Sequence, residues 1–157
     1  MSDIVVKLNY DCEMLNYIAS FLLIFVCSFS YGQSDEFLEM EALAESGDVE
    51  AQFYLAFSYA NGYEVPENDK TAVKWYTKAA EQGLVEAQYK LGLMYDDGEG
   101  VLSSNVKAYM WFNLADFNGN EIAGKNKDII SKQMTKEQIA KAQDLSEACL
   151  AKNYKGC

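Results

Sequence analysis

Histidine and arginine are both absent from this 157-residue chain, and proline occurs once, at Pro66. Each absence removes a class of function. Without imidazole, no Ser–His–Asp or Cys–His arrangement can be assembled, no histidine metal site exists, and no side chain has an unperturbed pKa near neutrality. Catalysis would fall to carboxylates, lysine, tyrosine or a lone thiol, so the sequence reads as a non-enzyme with no cofactor and no metal. Without arginine the usual bidentate reader of guanine and phosphate is missing. The net charge of −11, from 13 lysines against 24 acidic residues, repels a phosphate backbone. Nucleic acid is therefore a poor partner class. A single proline permits long helices and argues against a proline-punctuated β-fold.

Charge of either sign is missing from Met14 to Ser34, and Ile18-Ala19-Ser20-Phe21-Leu22-Leu23-Ile24-Phe25-Val26-Cys27 is almost wholly apolar. A run of that length suits the h-region of a signal peptide better than a membrane span, which needs about 20 residues. Ser30 and Gly32 suit the −3 and −1 positions of a cleavage site. The n-region is poor: Lys7 is its one base, opposed by Asp3, Asp11 and Glu13, and Met14 is an alternative start. Residues 1–33 are expected to be a signal peptide or leader and 34–157 the folded domain, exported to the periplasm. The competing readings are an uncleaved inner-membrane anchor through residues 14–33 and a buried core helix. A lipoprotein attached through Cys27 is weaker, because Val26 stands where a small residue should precede the cysteine.

Cysteine is scarce beyond the leader: Cys149 and Cys157 form the sole pair. In an exported chain such a pair suggests a disulfide. Eight residues of continuous helix rise about 12 Å, whereas bridged Cα atoms lie about 4.4–6.8 Å apart. The last helix is therefore expected to end near Asn153-Tyr154, with the chain folding back at Gly156. Closing so short a loop would contribute about 2–3 kcal/mol.

What the chain does have is a repeat. Shifted by 36 positions, Gly47, Val49, Glu50, Ala51, Gln52, Leu55, Tyr59, Gly62, Val65, Ala72, Trp75 and Ala79 recur as Gly83, Val85, Glu86, Ala87, Gln88, Leu91, Tyr95, Gly98, Val101, Ala108, Trp111 and Ala115. Ala44-Glu45 matches Ala80-Glu81, and Gly119 and Ala123 begin a third copy that diverges. Each unit reads as a helical hairpin. Ala51, Leu55, Ser58 and Tyr59 fall on one helical stripe, repeated by Ala87, Leu91, Met94 and Tyr95. Gly62 and Gly98 close these first helices, Asn68 and Ser104 cap the second ones, and Gly83 and Gly119 end them.

A hairpin of this size cannot bury its own apolar face, so units must stack and the ends need caps. A helix from Ser34-Asp35 to Ser46 serves as the second helix of an incomplete unit. At the other end, Asn120 to Gln133 forms a further first-type helix. Thr135 and Gln138 then open a final amphipathic helix that uses Ile139, Ala142, Leu145, Ala148 and Cys149. The expectation is an all-α superhelix of seven helices: two full 36-residue repeats plus half-repeat caps.

The patterns Gly47-x-x-x-Ala51-x-x-x-Leu55, Tyr59-x-x-Gly62-x-x-Val65 and Ala72-x-x-Trp75-Tyr76-x-x-Ala79-x-x-x-Gly83, repeated to Gly119, resemble the Sel-1-like repeat family, relatives of the tetratricopeptide repeats. The resemblance covers about residues 34–157, and the tail ending Tyr154-Lys155-Gly156-Cys157 looks like the C-terminal extension of exported bacterial members. It implies an α/α superhelix used for protein–protein contacts, often in bacterial envelopes. Two positions depart from the pattern: Ala56 stands where Gly92 keeps the usual glycine, and Glu64 where Gly100 does. Cysteine-rich exported members have been associated with β-lactam binding or hydrolysis. They carry a cysteine pair in each repeat, and here no repeat has a cysteine, so a cell-wall or β-lactam hydrolase is the disfavoured alternative.

The identical registers of Trp75 and Trp111 mark them as core. Asp96-Asp97-Gly98-Glu99-Gly100 lacks the alternating ligands of a calcium loop and reads as a solvated turn. Lys70, Lys74 and Lys78 form a basic stripe suited to solubility or to an acidic partner. Phe53 and Phe57, repeated as Tyr89 and Leu93, face away from the Ala51–Leu55–Tyr59 stripe. They either pack against the neighbouring hairpin or line an apolar, acid-rimmed groove for a basic or amphipathic segment of a protein partner.

Overall fold

A computed structural model describes residues 34–157, and the leader assignment at 1–33 lies outside the described residues. Seven helices follow in order: α1 Asp35–Ser46, α2 Val49–Asn61, α3 Asp69–Ala80, α4 Val85–Asp97, α5 Asn105–Phe117, α6 Glu121–Ser131 and α7 Lys136–Ala151. No strand occurs among the described residues. Helices α2–α3 and α4–α5 are consecutive packed hairpins, and α3 packs in turn on α4. This is an α/α repeat stack in which α1 supplies a lone second-type helix, while α6 and α7 both pack on α5.

The starts and stops have local causes. Asp48, Asn68, Ser104 and Asn120 each accept a hydrogen bond from the backbone N–H three residues on, satisfying donors that a helix start leaves orphaned. Thr135 and Gln138 form a reciprocal capping box. Gly62 and Gly98 take left-handed φ values of 69° and 79° and donate back to Ser58 and Met94. The second helices stop slightly earlier than the glycine positions suggest, at Ala80 and Phe117. Gly83 and Gly119 lie in the following turns, with φ of 91° and 101°, as does Gly47 at 103°.

The repeated apolar positions form the core. Ala51, Leu55, Ala72, Trp75 and Ala79 are buried, as are their counterparts Ala87, Leu91, Ala108, Trp111 and Ala115, while Tyr59 and Tyr95 are half-buried. The alanines let helix backbones approach, and Tyr76 and Phe112 fill the space between hairpins. Helix α7 differs from its sequence reading. Leu145 and Ala148 are exposed, and the buried face runs through Ala142, Ser146 and Cys149. A serine fits there because its hydroxyl donates to the Ala142 carbonyl one turn back, 2.9 Å away, so a small polar side chain can enter the α5 contact without an unpaired proton.

Buried amides tie unit to unit. Gln52 Nε2 donates to the Ala44 carbonyl at the end of α1 (3.1 Å), and Gln82 Nε2 donates to Gln52 Oε1 (2.9 Å) and to the Gly47 carbonyl. The arrangement recurs one unit on. Gln88 Nε2 donates to the Ala80 carbonyl (3.4 Å), Asn118 Nδ2 to Gln88 Oε1 (3.0 Å), and Tyr154 Oη to Asn118 Oδ1 (2.9 Å). Each glutamine thus serves a carbonyl at the C-terminal end of the preceding helix, where intrahelical donors run out. Replacing Gln88, which is fully buried, with the similarly sized leucine strands the Asn118 amide and is expected to cost about 1–3 kcal/mol. Chemical denaturation of Gln88→Leu checks this.

The C-terminus folds back. Asn153, Tyr154 and Gly156 take φ values of 53°, 67° and 71°, which turn the chain sharply after α7. The Tyr154 ring lies against Gly83, and the Gly156 N–H donates to Glu81 Oε1 (3.2 Å). The fold-back brings Cys157 against Cys149 with Cα atoms 5.4 Å apart, inside the range a disulfide spans.

Candidate functional site

The shape of the stack leaves one face of α1 and α2 uncovered by any other described helix. An open cleft of about 570 Å³ lies there. Met40 and Leu43 of α1 form one wall, Tyr54 and Phe57 of α2 the other, and Tyr63 from the following turn closes one end. Phe57 and Tyr63 stack with ring centroids 5.7 Å apart. Glu36, Glu39, Asp48, Glu50 and Glu64 also line the cleft, and among the described residues no lysine does. The chemistry on offer is an apolar floor with a carboxylate rim: it can bury apolar side chains and hold cationic ones.

The four residues singled out by sequence separate here. Phe57 lines the cleft. Phe53 packs on Tyr76 (centroids 5.5 Å apart) and Tyr89 on Phe112 (6.0 Å), while Leu93 is half-buried against the same second cluster. Sequence reasoning missed Met40, Leu43, Tyr54 and Tyr63. The available signal was α1 itself: Leu43 stands at the register of the buried alanines Ala79 and Ala115, where a large apolar side chain is out of pattern.

The other candidates have specific placements. Lys78 Nζ sits 3.7 Å above the Trp75 ring, so the end of the basic stripe covers a core tryptophan through a cation–π contact. Partial desolvation, and secondarily the Asp97 charge, raise the carboxyl of the largely exposed Asp96 above its ordinary value. Burial likewise pushes the Tyr76 hydroxyl well up, which keeps it neutral. Neither group lies in the cleft. Among the described residues, no three Cys, Asp or Glu side chains are grouped so as to hold a metal ion. None of the described helices is long and apolar enough to cross a membrane.

Stacked hairpins with a 36-residue period, positive-φ glycines at the turns and paired tryptophans define an α/α repeat protein. The Sel1 repeat family model matches residues 49–84 and 85–115: the chain carries two Sel1 repeats. Among solved structures it is similar to c5321, a protective antigen present in uropathogenic Escherichia coli strains and displaying an SLR fold. The identity is 34% and the TM-score 0.72, over 75% of this chain and 26% of that one. A Sel1 repeat protein from Oxalobacter formigenes is 37% identical with a TM-score of 0.54, over 55% of this chain and 25% of that one. The chain thus spans about a quarter of the length of these two structures. No curated protein matches it. Sel1 repeat proteins generally mediate protein–protein interaction, and the fold is typically a non-catalytic scaffold.

Proposed function

We propose that residues 34–157 are a non-catalytic interaction module of the bacterial cell envelope that holds a peptide or protein segment. The observation that carries this reading is the open apolar cleft with its carboxylate rim, on a fold whose conserved-register residues are used up in stacking. Affinity capture from envelope extract is expected to recover a saturable protein partner, and a clean blank would count heavily against the reading. A hydrolase acting on cell-wall or β-lactam material has no support from the residues present, and purified protein is expected not to turn over a chromogenic β-lactam.

We further propose that residues 1–33 export the domain to the periplasm and that Cys149 and Cys157 are disulfide-bonded there. The charge-free apolar run supports the first statement, and the 5.4 Å Cα separation supports the second. N-terminal sequencing and intact mass of the protein from cells address both. The expected result is a start near Gln33 or Ser34, with both thiols refractory to alkylation until reduced. A start at Met1 or Met14 would instead favour the inner-membrane tether.

A further inference from the structure

Resting on the interaction reading above, we propose that the α1–α2 cleft is a helix seat that no described helix fills. Its occupant is an amphipathic helix from a partner protein, apolar on one face and flanked by lysine or arginine, docked where the first helix of a repeat would lie. The 36-residue register supports the geometry. Met40, Tyr76 and Phe112 are equivalent positions on α1, α3 and α5. Phe53 of α2 covers Tyr76 and Tyr89 of α4 covers Phe112. Met40 faces the cleft instead, and among the described residues no first-type helix lies over it. Leu43 makes the same point. It is 48% exposed, whereas Ala79 and Ala115 at its register are completely buried. The residues lining the cleft on α1 and α2 thus stand at the repeat register of those that α3 and α4 present to α2, and no described helix lies over them. Since α2 and α4 are 13 residues long, the seat spans roughly 20 Å, or about a dozen helical residues.

Charge selects among the helices that fit. Glu39 of α1 and Asp48 and Glu50 at the start of α2 border the seat with carboxylates, and among the described residues no cation lines it. In a chain of net charge −11, an acidic helix would be repelled on approach and a cationic one drawn in, with an association rate that falls as salt rises. The apolar face supplies the contact through side chains at i, i+3, i+4 and i+7, in the manner of helix-in-groove recognition.

The test uses the full-length chain and a labelled 14-residue helical peptide with leucines on that spacing and lysines at both flanks, read by fluorescence anisotropy. Saturable binding is expected, weakened about tenfold or more by Met40→Glu and about tenfold by Glu39→Lys with Glu50→Lys, with loss on raising salt. The charge-reversal pair sits on exposed positions and guards against Met40→Glu failing to fold. Ile129→Glu, on exposed α6, should bind like the parent. No saturable binding, or equal binding by all variants, overturns the seat. A photo-crosslinker in place of Leu43 should label the peptide; crosslinks to residues 1–33 of the same chain, or to a second copy, also overturn it. A partner captured from envelope extract equally by the parent and by Met40→Glu leaves the interaction module standing and removes the seat. Absence of both partner and peptide binding removes both.

Discussion

Trp111→Ala is expected to cost about 3–5 kcal/mol, the usual range for deleting a buried tryptophan, out of the 5–15 kcal/mol that stabilises a typical domain. The indole is 2% exposed and packs in the same cluster as Met94, Met110, Leu114 and Cys149, drawing on α4, α5 and α7. No one of those helices can move in to fill the space without leaving the others. The consequence reaches beyond the cavity. In a stacked repeat, stability is a sum of unit and interface terms, and α5 is the helix on which α4, α6 and α7 all pack. Weakening it should therefore loosen the C-terminal end as a block. Urea denaturation followed by circular dichroism measures the total loss. The fluorescence of Trp75, the one tryptophan left in the variant, reports the first hairpin. A fluorescence transition at higher urea than the helicity transition is expected, and coincident transitions would show that the stack unfolds as one unit.

The hairpin frame was legible because repetition makes environments repeat. A residue such as Ala72 or Leu91 has the same neighbours in each copy, so identity at a 36-residue shift reports packing directly, and the caps at Asn68, Ser104 and Thr135 follow from local hydrogen bonding. Features that depend on what lies beside a unit were not legible in this way. Phe53 and Phe57 are one turn apart and look alike in sequence. Both are half-buried, but Phe53 meets Tyr76 whereas Phe57 lines the cleft. The difference lies in which neighbours each residue meets among the described helices, which no periodicity encodes. Ser146 escaped for another reason. A hydrophobicity reading prefers Leu145, yet one residue turns the helix about 100°, and the serine hydroxyl is satisfied by its own helix. Gln52 and Gln88 were visible as identities, but their role as caps on Ala44 and Ala80 appears only once the preceding helix is in place.

Glycine at position 100 shows how the two copies diverge for a physical reason, and Gly100→Ala is expected to be strongly destabilising for the addition of a single methyl group. Two costs coincide. The residue has φ of 67°, where an L side chain costs roughly 1–2 kcal/mol. A Cβ there would also run into the backbone carbonyl of Asp69, a contact with main chain at the start of α3 that no rotamer change relieves. Overpacking of this sort adds about 1–3 kcal/mol, for a combined loss of about 2–5 kcal/mol. The first unit provides the control. Glu64 occupies the same register with φ of 60° and already carries a side chain. The conformation alone is thus tolerable, and Glu64→Ala, which keeps a Cβ in the same backbone conformation, is expected to cost less than Gly100→Ala. The close approach to the preceding hairpin is what demands glycine in the second copy. Urea midpoints of the two variants separate the contributions. Near-equal effects at 64 and 100 would show that the Asp69 backbone yields; a clearly larger loss at Gly100→Ala would show that the contact between the α4–α5 turn and the start of α3 is rigid.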